Sequence, residues 1–379
     1  MSPDGSGYFL YHSIGMFPGK AERIAEALVR VATLWGTPGS EPWAGSLAIR
    51  AQFIAHWCRL VSAPAGTLTT SENVTTALHS VIGALPDRHL AGRKLLIAAD
   101  CFPSLHFLLA AMSERRGFEL VTVRPRPGEH WVRDEDFLAQ WRDDVGVALL
   151  TWITSTSSHR CDLSRMVAHA RAKGSLVGAD ITQGVGIIPF SVPAIDADFV
   201  VASSLKWLCG VSGAGILQVR EPLLRDCRPE LRGWFSQEDI FSWSLDSFEY
   251  ARDARRFDSG TPSILPFAAC IPALEWVAQQ DPTTLLAHNR RLIEVLLDAG
   301  AALDLPLASP RRADERGGSI MFRLPSDASA ERVVGQLRQQ AVFADRRGAT
   351  LRLSPGNVTT MDGVQRLVPT LQQALRAAR

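Results

Sequence analysis

Between Lys20 and Trp35 apolar side chains recur at Ile24, Leu28, Val31 and Trp35, with Glu22, Arg23, Glu26 and Arg30 between them. That spacing is the period of an amphipathic helix. Further along the pattern changes. Short apolar runs at residues 94–99, 147–153, 175–179 and 199–202 alternate with helix-like segments such as 105–114 and 163–173. Strands alternating with helices predict an α/β fold, a mostly parallel sheet covered on both faces. Around Gly260-Thr261-Pro262 the alternation gives way to two long helical stretches, 266–279 and 283–300. A smaller α+β unit follows, with strands at 319–323 and 350–353, a helix at 330–340 and a terminal amphipathic helix at 362–378. The expected division is an N-terminal segment at 1–20, a large domain at 21–262 and a small domain at 263–379.

Composition narrows the function classes. The 379 residues carry 40 Lys plus Arg against 39 Asp plus Glu, a formal charge of +1. No global field is available to hold nucleic acid or an anionic membrane. No apolar run approaches the roughly 20 residues of a membrane-spanning helix, and the polar start Met1-Ser2-Pro3-Asp4 lacks a secretory pattern, so a cytoplasmic location is expected. The six cysteines are scattered, without C-x-x-C or zinc-ligand spacing; reduced thiols and no metal site are expected. Only four lysines occur, at 20, 94, 173 and 206.

In an open parallel sheet, ligands bind where strands end at their carboxyl edge. Polar residues directly follow three apolar runs: Asp180 to Gln183, Ser203 to Lys206, and Ser71 to Thr75 ahead of a helix with Val74, Leu78 and Val81 on one face. Lys206 lies between an apolar strand and Trp207-Leu208, followed by a glycine-rich stretch at 210–215. A lysine deprived of water loses its proton readily and becomes a nucleophile for a carbonyl. Pyridoxal phosphate exploits such an amine; it also takes a carboxylate for its ring nitrogen and donors for its phosphate. Against this stand simpler roles: Lys206 reaching to solvent, Asp180 capping a helix, Asn73 or Thr75 capping another. Lys20 reads as starting a solvated helix, Lys94 a strand, and Lys173 as ending a helix.

The strings Asp180-Ile181-Thr182-Gln183, residues 197–208 around Lys206, and Gly213-Ala214-Gly215 resemble the class V aminotransferase superfamily. The likeness continues through Gly233-Trp234, residues 256–262 and Leu351-Arg352-Leu353-Ser354-Pro355. That superfamily includes cysteine desulfurases, isopenicillin-epimerase-like enzymes and kynureninases, all of pyridoxal phosphate fold type I. The resemblance implies Lys206 as the internal-aldimine lysine, Asp180 as partner of the pyridine nitrogen and Gln183 as donor to the ring hydroxyl. It implies Phe102 stacked on the ring, phosphate contacts from Val74, Thr75 and Ser203, and a further contact from Thr261 of a second subunit in a homodimer. Arg352 corresponds to the arginine that grips the substrate carboxylate. Trp234, Tyr11 and His12 are candidate substrate contacts.

Three departures matter. Leu205 stands before the lysine where the superfamily usually has histidine or tyrosine. Ser158 replaces the strand-end glycine, so the loop 154–160 is expected to present a hydroxyl or His159 toward the site. No cysteine follows Cys270, so a persulfide mechanism of the desulfurase kind is not expected. Cleavage at the β-position of an amino acid is therefore the expected reaction, with transamination as the alternative. A cofactor-free scaffold is a further one, and a serine hydrolase using Ser212 in Gly210-Val211-Ser212-Gly213-Ala214 is the rival from another class.

Overall fold

A computed structural model describes residues 5–376. Residues 1–4 of the expected N-terminal segment and 377–378 of the expected terminal helix lie outside the described residues. The strands are β1 (Leu68–Ser71), β2 (Lys94–Ala98), β3 (Glu119–Val123), β4 (Val145–Thr151), β5 (Leu176–Asp180), β6 (Phe199–Ser203), β7 (Gly215–Val219), β8 (Ile320–Arg323), β9 (Asp345–Arg347) and β10 (Thr350–Leu353). The helices are α1 (Lys20–Trp35), α2 (Glu41–Val61), α3 (Val74–Ala84), α4 (Pro103–Arg116), α5 (Asp134–Gln140), α6 (Leu163–Lys173), α7 (Val192–Ile195), α8 (Glu221–Asp226), α9 (Leu265–Ala278), α10 (Pro282–Ala302), α11 (Asp327–Gln339) and α12 (Met361–Arg376).

Seven strands form one sheet in the order β1-β7-β6-β5-β4-β2-β3. Pairings from β3 to β6 are parallel, and β7 runs antiparallel to both β6 and β1. Alternation along the strands fills two cores. Leu95, Ile97, Val147, Leu149, Phe199 and Val201 pack with α3, α4 and α8. Leu96, Ala148, Leu150, Val200 and Ala202 pack on the other face with α2, α6 and α9. Both faces are apolar because both are covered, the condition for a parallel sheet. A second sheet, β8-β10-β9, is antiparallel and shares a separate core with α10, α11 and α12.

Helix α2 escapes a hydrophobicity reading for a physical reason. Its buried positions are Pro42, Ser46, Arg50, Phe53, Trp57 and Val61, a helical stripe interrupted by a hydroxyl and a cation. Arg50 is tolerated there because Asp258 accepts from it at 2.7 Å, with Thr69 and Thr70 taking its other N–H groups.

The N-terminal segment ties the two sheets together. Phe9 donates to the Phe343 carbonyl and accepts from the Ser354 amide, within the smaller sheet's unit. Gly15 then donates to the Leu205 carbonyl beside the candidate lysine. A Cβ at Gly15 would lie 1.9 Å from the Lys206 carbonyl oxygen, so only glycine permits this approach.

Candidate active site

The carboxyl edge of the larger sheet collects the polar strand ends. Ser71 of β1 and Ser203 of β6 both pair with Gly215 of β7, and Asp180 of β5 pairs with Thr151 of β4. A Cβ at Gly215 would meet the Ala202 and Ser71 carbonyls at 2.9 and 3.3 Å, which brings the start of α3 against the end of β6. Asn73 caps α3 by accepting from the Thr76 amide at 3.0 Å. The amides of Val74 and Thr75, in the first turn, have no acceptor among the described residues. They form the positive end of a helix beside the strand end that carries Ser203, an arrangement suited to a phosphate.

Lys206 is half-buried in the turn after β6. Its Nζ lies 5.4 Å from the centre of the Phe102 ring, within cation–π range. The other three lysines are all engaged. Lys94 pairs with Asp144 and Lys173 with Asp143, each at 2.7 Å. Lys20 donates to the Gly15 and Gly210 carbonyls at 2.7 and 3.0 Å, so it is a bolt between the N-terminal segment and the lysine turn rather than a solvated helix start. Lys206 alone has no hydrogen-bond or ion-pair acceptor among the described residues. Loss of water pulls its pKa down to about 8; the Asp180 carboxylate opposes this, and the Arg352 and Arg347 charges reinforce it.

Asp180 is buried at its strand end. Its Oδ1 accepts from the Thr182 amide at 3.0 Å and hydroxyl at 2.5 Å, while Oδ2 has no donor among the described residues. No helix starts here, so a capping role is excluded. Gln183 donates one amide N–H to the His12 carbonyl at 2.9 Å, leaving a second uncommitted. Phe102 immediately precedes α4 and is 43% exposed.

Arg352 on β10 is almost fully buried and is held through three nitrogens. Nε and Nη2 donate to the two oxygens of Asp345 at 2.8 and 2.5 Å, and Nη1 donates to the Ser155 carbonyl at 3.0 Å. Asp345 also accepts from His12 Nε2 at 2.9 Å. Burial alone would raise the Asp345 carboxyl, but the His12 and Arg352 bonds outweigh it and bring it down to about 2. His12 is lowered to about 4, chiefly by burial against the opposing hydrogen bond from Asp345. It is therefore neutral at neutral pH. Since a carboxylate only accepts, Nε2 carries the proton and Nδ1 accepts from Ser354 Oγ at 2.5 Å; Ser354 in turn takes the Ser319 hydroxyl at 2.6 Å.

The fold and this geometry agree with comparisons to known proteins. The sequence profile described as Aminotransferase class-V matches residues 59–367. The chain belongs to the class-V aminotransferase family. It is 28% identical to a kynureninase of Monosiga brevicollis over 98% of this chain and 87% of that one. To a kynureninase of Deinococcus radiodurans it is 27% identical, covering 89% and 81%. Among solved structures, a cysteine desulfurase from Escherichia coli superposes with a TM-score of 0.84 at 19% identity over 99% and 96% of the two chains. A cystine C–S lyase in complex with its product cysteine persulfide superposes with a TM-score of 0.85 at 17% identity over 97% of each chain. These structures share the fold type I architecture of this class-V chain.

Not every candidate is gathered at Lys206. Tyr11 donates to the Met16 carbonyl at 2.6 Å, accepts from the Val358 amide and packs its ring 5.5 Å from that of Trp207. Tyr11 and His12, expected as substrate contacts, thus have their polar side-chain atoms committed within the chain. Trp234 lies in an aromatic array with Trp43 and Phe235, and Thr261 is exposed; no contact among the described residues joins either to Lys206. Leu205 contributes its carbonyl to Gly15 rather than a side-chain donor. Ser212 is exposed and hydrogen-bonds to no histidine among the described residues, which removes the activated serine a hydrolase needs.

The loop 154–160 behaves differently from expectation. Ser158 takes φ of 61°, the left-handed region that glycine enters at least cost, and its hydroxyl accepts from the Ser319 amide. His159 turns away, stacked on Trp131 at 5.9 Å, to line a separate cavity of about 1180 Å³ that contains none of the residues around Lys206. What the loop gives Arg352 is the Ser155 carbonyl. Sequence reasoning missed Asp345, Ser155 and Ser319. In Ala344-Asp345-Arg346-Arg347 the aspartate has the signature of a charged edge strand, and a backbone carbonyl leaves no sequence signal.

Proposed function

We propose that this class-V protein is a pyridoxal 5′-phosphate-dependent enzyme that uses Lys206 to act on an amino acid, cleaving a bond at the β-position of its side chain in the lyase or kynureninase manner. The observation that carries this reading is Lys206 itself, the lysine without an acceptor among the described residues, with its Nζ 5.4 Å from the Phe102 ring and its pKa brought down to about 8 by loss of water. The residues fit the cofactor: an aromatic face, a carboxylate oxygen without a donor, and unmet amides at a helix start beside a serine. The kynureninase relatives support the choice of β-cleavage. Aminotransfer, which the family description names, is the alternative.

When bound, the cofactor supplies an aldehyde for the lysine and a ring that accepts electron density from the substrate. Asp180 Oδ2 would hold a proton on the ring nitrogen, keeping that ring electron-poor. Val74, Thr75 and Ser203 would hold the phosphate, Phe102 would cover one ring face, and the second Gln183 N–H would bond the ring hydroxyl. A neutral Lys206 amine would take the proton from the substrate α-carbon. Arg352 would orient the carboxylate so that this C–H bond faces the amine. Residues 21–262 would thus carry the cofactor and 263–379 the carboxylate grip, with the N-terminal segment joining them.

The partner we propose is a second copy of the chain. Leu231, Phe241, Trp243 and Leu245 are 64%, 69%, 83% and 101% exposed, an apolar concentration that monomers seldom leave in water. Trp35 and Trp43, themselves half exposed, form a further aromatic array with Trp234, and Thr261 would reach the partner's phosphate. Sedimentation should show a dimer, and Trp243→Glu should shift it toward monomer. The six unpaired cysteines support a reducing, cytoplasmic compartment. The reaction is tested by offering the cofactor-loaded protein a panel of amino acids together with a keto-acid acceptor and weighing the products. A shortened side chain supports cleavage; an aminated keto acid identifies aminotransfer instead.

A further inference from the structure

Arginine has five N–H groups. Asp345 and the Ser155 carbonyl take three of those on Arg352, leaving one on Nη1 and one on Nη2. The Nε/Nη2 edge of the guanidinium is therefore taken by Asp345, and Nη1 is engaged by Ser155, before any substrate arrives. Asp345 is in turn fixed by the imidazole of His12, whose second nitrogen is fixed by Ser354. The carbonyl of the same His12 holds Gln183. One hydrogen-bonded chain thus runs from Gln183, on the cofactor side, to Arg352.

We infer that Asp345 is a positioning residue: with His12 behind it, it locks the plane of the Arg352 guanidinium so that the two remaining N–H groups are held in register for a substrate carboxylate. The inference rests on the proposed role of Arg352. Asp345 acts on the substrate in two opposite ways. Its negative charge repels an incoming carboxylate through the guanidinium, while its two bonds to Arg352 remove the rotamer freedom that the carboxylate would otherwise have to freeze. These offset each other in affinity. Orientation has no such offset, because a carboxylate held in several poses presents its α-hydrogen to Lys206 only part of the time.

The test uses cofactor-loaded protein in D₂O with L-alanine, whose small side chain makes no demand on the side-chain pocket, and follows loss of the α-proton signal by NMR. In Asp345→Asn the saturating exchange rate should fall about tenfold or more, the size expected from a misplaced reacting group, with the half-saturating concentration within about threefold of the parent. Asp345→Glu, which keeps the charge on a longer arm, should fall between the two and serves as the second variant if Asp345→Asn does not fold. A parental rate in whichever variant folds overturns the inference. Arg352→Lys separates the two layers: if it raises the half-saturating concentration strongly while the Asp345 variants behave like the parent, Arg352 binds the carboxylate and Asp345 does not position it. If Arg352→Lys also leaves that concentration unchanged, the role of Arg352 itself is wrong.

Discussion

Around Lys206 polar groups are unmet among the described residues: an amine without an acceptor, an Asp180 oxygen without a donor, and two helix amides without carbonyls. Around Arg352, some turns of chain away, Asp345, His12, Ser354 and Ser319 satisfy one another in a fixed donor order. Unmet groups cost stability and are kept where something else is to bind; met groups rigidify. One pole of the proposed site would thus be completed by a cofactor, while the other is ordered without one.

The strongest way to break this contrast is to remove the amine. Lys206→Ala should reduce α-proton exchange about a thousandfold, in the range of a lost general base, while a matching loss should not follow replacement of Lys20, Lys94 or Lys173. Asp180→Asn comes next. Its exchange rate should fall about a hundredfold, because an amide gives no charge to hold the ring proton. Since Asp180 raises the Lys206 pKa, the same change should move the midpoint of amine reactivity in cofactor-free protein below the parental value of about 8.

Stability separates the poles by sign. Lys206→Met should stabilise the cofactor-free protein in chemical denaturation by about 1 kcal/mol, having removed an unpaired charge from a dewatered place. Arg352→Met should destabilise it by about 2 kcal/mol, less than a fully buried pair because Asp345 keeps 33% of its side chain in water. The remaining effect is in pH. The folded pKa of Lys206 lies below its ordinary value, so the unfolded chain binds more protons between about 8 and 10.5, and cofactor-free protein should gain stability as pH rises through that window. The same sign holds for His12 between about 4 and 6.5, where stability should be lost on acidification, and His12→Asn should flatten that slope.

The two poles also differed in how far the sequence disclosed them. Lys206, Asp180 and the start of α3 follow apolar runs directly, and a parallel sheet delivers such residues to one edge whatever the loops do. Most strands of the larger sheet and the helices of the smaller unit were legible from periodicity for the same reason. Helix α2 was not, since Arg50 sits in its buried stripe on the strength of Asp258, a partner far away in sequence. Strand β7 was not read as a strand: only its first residue fell in the glycine-rich stretch 210–215, and Gln218, although buried, interrupts its apolar run. Asp345 and His12 were illegible as a pair: their link spans nearly the whole chain and becomes visible only when the N-terminal segment lies across the smaller sheet.

The most direct measurement is to load the protein with pyridoxal 5′-phosphate, reduce with borohydride, digest and locate the adduct by mass spectrometry. Attachment on the peptide containing Lys206, with loss of yellow colour on reduction, is the predicted result. An adduct on Lys20, Lys94 or Lys173 instead, or no adduct at all, would contradict the assignment of Lys206 as the amine this site was built around.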